Sequence, residues 1–387
     1  MNVAVIPFKP LRVVGLMSGT SMDGIDAAYM ETDGDQIVRR GSAVTLPYPP
    51  DFRTRLGAFI AAAPDRGASK REAGLEGELT DRHGAAVADL LAVMGLANTA
   101  LDLVGFHGQT IWHRPASPGT RPGATWQMGD GPRLAGILGV PVAFDFRSAD
   151  VAAGGQGAPL VPVYHAALAQ GDRPMAILNV GGVANLTWIG RTSTELLGFD
   201  TGPGNGLIDD WLRERLGLAM DRNGALAAEG RVDRDLIARM IEHPFFARRP
   251  PKSLDRFDFA LREFAHLGDA DGAATLTAFT AACAAESLKH CPERPRKVFV
   301  TGGGRHNPTL MAELGRQTGI LVASVDELGW NGDALEAEAF AYLAVRCLRG
   351  MPLTFPGTTG VTAPTTGGRI AAPGSPTDGG SARFNLG

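Results

Sequence analysis

The sequence holds three cysteines in 387 residues, Cys283, Cys291 and Cys347, with no C-x-x-C pair among them. That excludes a disulfide framework and fits thiols kept in a reducing compartment. An excess of one charge is also missing: 37 Lys and Arg stand against 41 Asp and Glu, for a net charge of −4. A nucleic-acid or anionic-membrane surface needs a basic excess, so neither is expected as a partner. No run reaches the ~18–20 apolar residues that cross a bilayer. Near the N-terminus Pro7, Lys9 and Pro10 interrupt the apolar residues from position 3 to 8, leaving no signal-peptide core. Together these absences predict a cytoplasmic protein, and they leave a homodimer open.

Several motifs are absent as well. No G-x-x-x-x-G-K-[ST] occurs, and Gly202 and Gly204 are followed by Leu207 where a G-x-G-x-x-G fingerprint needs its third glycine. H-E-x-x-H and G-x-S-x-G are missing, which lowers zinc-protease and α/β-hydrolase readings. His83, His165, His243, His266, His290 and His306 show no metal-ligand spacing.

What is present is apolar sequence, 44% of the chain, ample for a core. At roughly 100–200 residues per domain the length predicts two domains. Glycine (51) and proline (26) cluster between apolar runs, as in an enzyme with many tight loops. Residues 11–16 predict a buried strand broken at 18–21; a strand resumes over 25–31, Asp33 and Gly34 signal a hairpin, and 36–46 runs back. Helical spacing is clearest over 81–94, and 101–106 reads as a strand ending in His107, Gly108 and Gln109. A similar order restarts near 174, with strands at 175–180, 185–189 and 195–199, a turn at Gly181 and Gly182, and a helix from about Gly206. Asp209 and Asp210 fall in the first turn of that helix, where negative charge is favourable. Two glycine-turned, three-strand openings predict two related α/β domains. Later come a helix at 272–289, a strand at 297–300, a helix opened by Asn307 and Pro308, and a last helix at about 333–348. Residues 373–387 read as a mobile tail.

Glycine turns that follow strands are natural anion sites, because bare backbone N–H groups can converge on phosphate oxygens. Residues 19–24, 202–205 and 302–304 are three candidates, and any one alone is also explained as a tight turn. Hydroxyls at Ser18, Thr20, Ser21 and Thr201, with carboxylates at Asp23, Asp26 and Asp200, fit a hydrated magnesium–phosphate group, with no direct metal ligand assigned.

The stretch GLMSGTSMDGID at 15–26 resembles the phosphate-1 loop of the anhydro-N-acetylmuramic acid kinases, in the actin-like ATPase superfamily. The resemblance continues in order through HGQTIWH (107–113), DFRSAD (145–150), GGQGAPLVP (154–162), NVGGVAN (179–185), FDTGPGN (199–205), TGGG (301–304) and EAEAFA (336–341), spanning about 11–372. Two stretches depart from the family pattern. PPKSLDRF at 250–257 keeps only the first half of the usual motif and its arginine, and GWNGD at 329–333 is remodelled.

The resemblance implies two actin-like (ribonuclease H-like) domains with a nucleotide cleft between them. Residues 1–153 with 352–372 would carry the phosphate-1 loop, and 154–351 the phosphate-2 and adenosine loops. It implies ATP and Mg2+ as cofactors and an amino-sugar substrate, 1,6-anhydro-N-acetylmuramic acid, opened by water and phosphorylated on O6. The rivals are an actin-like kinase acting on a free sugar hydroxyl and a non-catalytic ATP-binding module.

By the same resemblance Asp200 is the catalytic base; an Asx-type turn at a strand end is its plain structural reading. ATP would meet Gly19, Thr20, Ser21, Met22, Asp23, Gly24, Ile25 and Asp26, then Gly182, Asn185, Gly202, Gly204, Asn205, Gly302, Gly303 and Gly304. His107 and Gln109 are candidates for the sugar, against buried and satisfied side chains. Arg133 and Arg147 are candidates for its carboxylate because a guanidinium fork suits bidentate recognition. Glu336 is either a sugar contact or, three residues after Asp333, part of a capping box.

Overall fold

A computed structural model describes residues 9–19, 22–35, 37–66, 72–114, 123–169, 171–192, 194–254 and 258–376. The apolar runs become two sheets. In the first, β1 (Leu11–Ser18), β2 (Gly24–Thr32) and β3 (Ile37–Pro47) form an antiparallel meander. On the other side of β1 lies β4 (Leu103–Arg114), parallel to it, and β6 (Val142–Phe144) lies parallel to β4. β5 (Ala124–Met128) pairs with the far end of β4, and β12 (Arg369–Ala371) closes the edge on β6.

The second sheet repeats the plan. β7 (Met175–Val180), β8 (Val183–Ile189) and β9 (Leu196–Pro203) form a meander, and β10 (Lys297–Thr301) and β11 (Leu321–Ser324) add in parallel beyond β7. The orders β3-β2-β1-β4-β6 and β9-β8-β7-β10-β11 are the same ribonuclease H-like topology twice. Parallel neighbours need a crossover. Helices supply it: Ala73–Met94 lies between β3 and β4, Gly206–Leu216 and Asp269–Ser287 between β9 and β10, and Pro308–Thr318 between β10 and β11. The last of these starts as expected, with Asn307 accepting from the Leu310 N–H at 2.9 Å and proline in the first turn.

Two compact units result. One comprises Met1–Leu168, Ala334–Phe355 and Val361–Gly387; the other comprises Ala169–Asp333 and Pro356–Gly360. The division expected at 153/154 and 351/352 therefore differs: residues 154–168 and 334–351 group with the first unit. Close packing is the reason. A Cβ at Gly15 of β1 would overlap the Ala337 carbonyl, and one at Gly105 of β4 would overlap that of Phe340. The helix Leu335–Leu348 thus lies directly on the backbone of the first sheet. Tyr164 adds a buried hydrogen bond of 2.6 Å to Glu338 of that helix. Residues 377–387 of the expected tail lie outside the described residues.

Two element ends move for similar reasons. The strand expected to stop at 106 runs to Arg114, because β5 gives its second half a partner. The helix expected from 81 starts at Ala73, and buries Leu75, Leu79, Val87, Leu90 and Leu91 in the first unit's core with Phe52 and Phe106. In the second unit Leu178, Val180, Leu186 and Phe199 form a core under the sheet, and Trp211, Phe245, Phe246, Phe264 and Phe279 form another among the helices.

Gly105→Val should lower stability by at least the ~1–3 kcal/mol typical of overpacking, read as a drop in the urea midpoint. An unchanged midpoint would show that the helix can withdraw without cost.

Candidate active site

β1 delivers Ser18 and Gly19 at the end of a central strand. The Gly19 carbonyl accepts from the Met22 N–H at 3.2 Å and from Gln109 Nε2 at 3.0 Å. Gln109 comes from β4, the parallel neighbour, and is fully buried; its Oε1 lies 3.5 Å from the Tyr48 hydroxyl. Tyr48 in turn donates its N–H to the Asp23 carbonyl at 2.9 Å. His83 reaches Ser18 Oγ at 3.2 Å through Nε2 and the Leu79 carbonyl at 2.8 Å through Nδ1. Burial pushes its pKa down to about 4, so Nδ1–H donates to Leu79 and Nε2 accepts from the serine. Met22 has a φ of +55°, which turns the chain back into β2. There Ile25 is core, and Asp26 accepts from Thr45 Oγ1 at 2.6 Å. Thr20 and Ser21 lie outside the described residues.

His107 and Gln109 were expected to face sugar; in this geometry both side chains are engaged within the protein. His107 is 3% exposed. Its Nδ1–H donates to the Gly108 carbonyl at 2.6 Å, and its Nε2 accepts from Arg147 Nε and Nη2 at 3.1 and 3.0 Å. Burial first and the Arg147 charge second hold His107 well below the usual histidine range. Arg147 also donates to the Gly157 carbonyl at 2.7 Å, while Asp150, buried, accepts from the Gly157 N–H at 2.6 Å. Arg133 spends its fork on Asp81, with two bonds of 2.8 Å. A substrate carboxylate there would have to displace Asp81.

In the second unit three loops meet at the C-terminal ends of β7 and β10. The N–H groups of Gly204, Asn205 and Gly206 donate to the carbonyls of Gly182, Gly181 and Gly182 at 3.0, 2.7 and 3.1 Å. Asn205 Nδ2 adds a bond of 3.1 Å to the Val180 carbonyl. A Cβ at Gly204 would overlap the Gly181 carbonyl, so glycine is required for this approach. β10 then brings in Gly302, with φ +73°, beside Val180, and Gly304 packs on the same residue. Arg305 holds that turn: its guanidinium, 3% exposed, donates to the Gly302 carbonyl at 3.0 Å, to Asp333 at 2.8 and 2.7 Å, and to Asp326 at 3.1 Å.

Asp200 is half-buried on β9, in register with Asn185 of β8. Its N–H donates to the Lys252 carbonyl at 2.9 Å, and its Oδ2 accepts from the Leu254 N–H at 2.8 Å. Asn185 Oδ1 is buried with no hydrogen-bond partner. An orphaned acceptor beside a carboxylate suits a donor brought by a ligand, such as a hydroxyl or a water carried by a hydrated cation. Glu336 is exposed in the first turn of Leu335–Leu348. The capping-box alternative does not form: the N-cap residue is Ala334, without a side-chain cap, and Asp333 is taken by Arg305.

The sequence model of the anhydro-N-acetylmuramic acid kinases matches residues 11–373. The chain belongs to the anhydro-N-acetylmuramic acid kinase family. The family protein of Rhizorhabdus wittichii is 54% identical over 362 residues, covering 92% of this chain and 98% of that protein. Those of Acidiphilium cryptum and Rhodospirillum rubrum are each 51% identical, covering 94% and 92% of this chain and 99% and 92% of theirs. Family motifs account for most of the struts just described. Asp150 is the last residue of DFRSAD and Arg305 directly follows TGGG, so the first lay inside a recognised motif and the second beside one. Tyr48 and His83 lie in no recognised motif, and only their packing exposes them.

Three buried histidines and the half-buried His113 should make this kinase acid-sensitive. Burial pushes His83 and His113 down to about 4, His165 to about 3, and His107 lower than usual. The unfolded chain therefore binds more protons between pH ~6.5 and ~4, and stability falls as pH drops through that window. Each histidine adds up to about 1.4 kcal/mol per pH unit to the slope. Urea midpoints from pH 7 to 4 should show a steep decline that flattens in His83→Gln, and equal slopes in the two proteins would refute the assignment.

Proposed function

We propose that the protein is an ATP-dependent kinase that opens 1,6-anhydro-N-acetylmuramic acid with water and phosphorylates O6, giving N-acetylmuramic acid 6-phosphate and ADP. The observation that carries the site assignment is Asp200, fixed by two backbone bonds and facing the orphaned Asn185 amide across the β8–β9 ladder. An anhydro sugar has no free 6-hydroxyl. Water must attack C1, the C1–O6 bond breaks, and its electron pair stays on O6, which takes the γ-phosphoryl group as ADP leaves. Asp200 accepts the proton of the attacking water.

The phosphates are proposed to meet the N–H groups of Gly302, Gly303 and Gly304; in the first unit Gly19 is retained as a candidate phosphate contact. Gly204 and Asn205 spend their N–H groups on the turn at Gly181 and Gly182, so their part is to shape that corner. Magnesium carried on the ATP phosphates would neutralise developing phosphoryl charge, and the Asn185 acceptor suits one of its waters. No helix in the described residues is long and apolar enough to cross a membrane. We place the enzyme in the cytoplasm, where ATP is available, in the recycling of cell-wall amino sugar. Glu336 is retained as a candidate sugar contact.

Turnover in 18O-labelled water separates this reaction from phosphorylation of a free hydroxyl. The product should carry one 18O at C1, and unlabelled product would rule out hydrolytic opening. Asp200→Asn should lower kcat by about 10²–10⁴-fold, the contribution of a general base, with ATP affinity by calorimetry unchanged. Near-normal turnover would remove Asp200 from the base role.

A further inference from the structure

The segment that holds Asp200 is itself tied down by a buried cation. Lys252, whose carbonyl accepts the Asp200 N–H, is only 5% exposed. Its Nζ turns inward and donates to the carbonyls of Phe245 at 3.1 Å and Phe246 at 3.3 Å, with His290 Nε2 at 3.4 Å. It also sits 4.5 Å from the centre of the Phe245 ring and 5.8 Å from that of Phe199, the residue before Asp200. The ammonium thus donates to two carbonyls, while His290 Nε2, 3.0 Å from the Phe246 carbonyl, donates to that same oxygen. Two residues on, the Leu254 N–H reaches Asp200 Oδ2. One side chain anchors the stretch that fixes both the backbone and a carboxylate oxygen of the base.

We propose that Lys252 is a positioning residue for the reaction: anchored on the Phe245 and Phe246 carbonyls, it sets the placement of residues 252–254 and thereby the orientation of the Asp200 carboxylate. The proposal rests on Asp200 being the base. Its physical content is geometric, since a general base must reach the attacking water within hydrogen-bond distance, and a displacement of ~1 Å in such a group can cost about 10²-fold in rate. A lysine that merely stabilised the fold would affect melting and leave kcat of the folded protein alone.

The charges around Nζ give the anchor a pH signature. Burial, then Arg248, pushes the Lys252 ammonium down to about 8, opposed by Glu286, the Cys283 thiol and Asp200; the His290 ring also faces it. Because the folded value lies below the ordinary 10.5, the contribution of this group to stability rises between pH 8 and 10.5. Activity should move the other way, since the bonds to the two carbonyls lose their charge assistance as the ammonium deprotonates.

The test compares Lys252→Met and Lys252→Arg with the parent chain. In Lys252→Met, kcat with ATP and the anhydro sugar should fall about 10²-fold, with ATP affinity unchanged. Hydrogen exchange at the Leu254 amide should quicken by about tenfold or more as that bond opens locally. Lys252→Arg, which keeps the charge and the donors, should recover most of kcat and lose the decline that the parent shows above pH ~8. Parental kcat in Lys252→Met, or parental Leu254 exchange, would overturn the proposal. Should Lys252→Met not fold, the pH profile and Leu254 exchange of Lys252→Arg decide alone: a decline at the parent's pH counts against the anchor. If the parent shows no sugar-dependent ADP release, the base assignment falls, while Leu254 exchange still reports on the anchor.

Discussion

Parallel pairing of β1 with β4 and of β7 with β10 is the constraint on which each unit's chemistry depends. Parallel strands end at the same edge of a sheet, so the loops that follow them are brought together. The same parallel register sets Gln109, midway along β4, beside Ser18, where it holds the Gly19 carbonyl at the end of β1. Parallel pairing is also how the turn at Gly302 comes to lie beside Val180 at the end of β7. An antiparallel partner would have sent the second loop to the opposite edge. The meander strands β8 and β9 do different work: their hairpin ladder sets Asn185 against Asp200.

Backbone groups dominate both loop clusters, and side chains serve mainly to hold them. Gln109, His83, Arg147, Asp150 and Arg305 are buried or half-buried, and each spends its polar atoms on a loop carbonyl, a loop N–H or a neighbouring polar group. A buried polar group left unpaired is costly, so each bond made here fixes one loop geometry rather than several. Preorganisation of this kind suits phosphoryl transfer, in which positioning and electrostatics supply most of the catalysis. The buried histidines follow the same logic. His83 and His107 are held neutral, so that one ring nitrogen donates and the other accepts.

The two stretches where the sequence leaves its family's pattern turn out to be supports for functional loops. PPKSLDRF holds Asp200 through Lys252 and Leu254, although residues 255–257 lie outside the described residues. GWNGD ends in Asp333, which pairs with the arginine that fixes Gly302. In both, the contact to the functional loop is made by backbone atoms or by a charge pair. Other residues nearby are therefore free to vary.

Much of the fold was legible in the chain itself. Alternating apolar runs, the Asp33–Gly34 turn and the restart at 174 are local signals, and they specify two meanders and their helices. Family motifs placed Asp200 and the glycine loops within the sequence. Roles were less legible. His107, Gln109, Arg133 and Arg147 were candidates for a ligand, with buried and satisfied side chains the other reading for the first two, and Gly108, Gly19, Asp81 and Gly157 engage them. Where a polar side chain points is decided by which strands pair and what covers them. For the same reason the sequence alone could not show that residues 334–351 belong with the first sheet: that follows from Gly15 and Gly105 leaving room for a helix backbone, a relation between segments more than 200 residues apart.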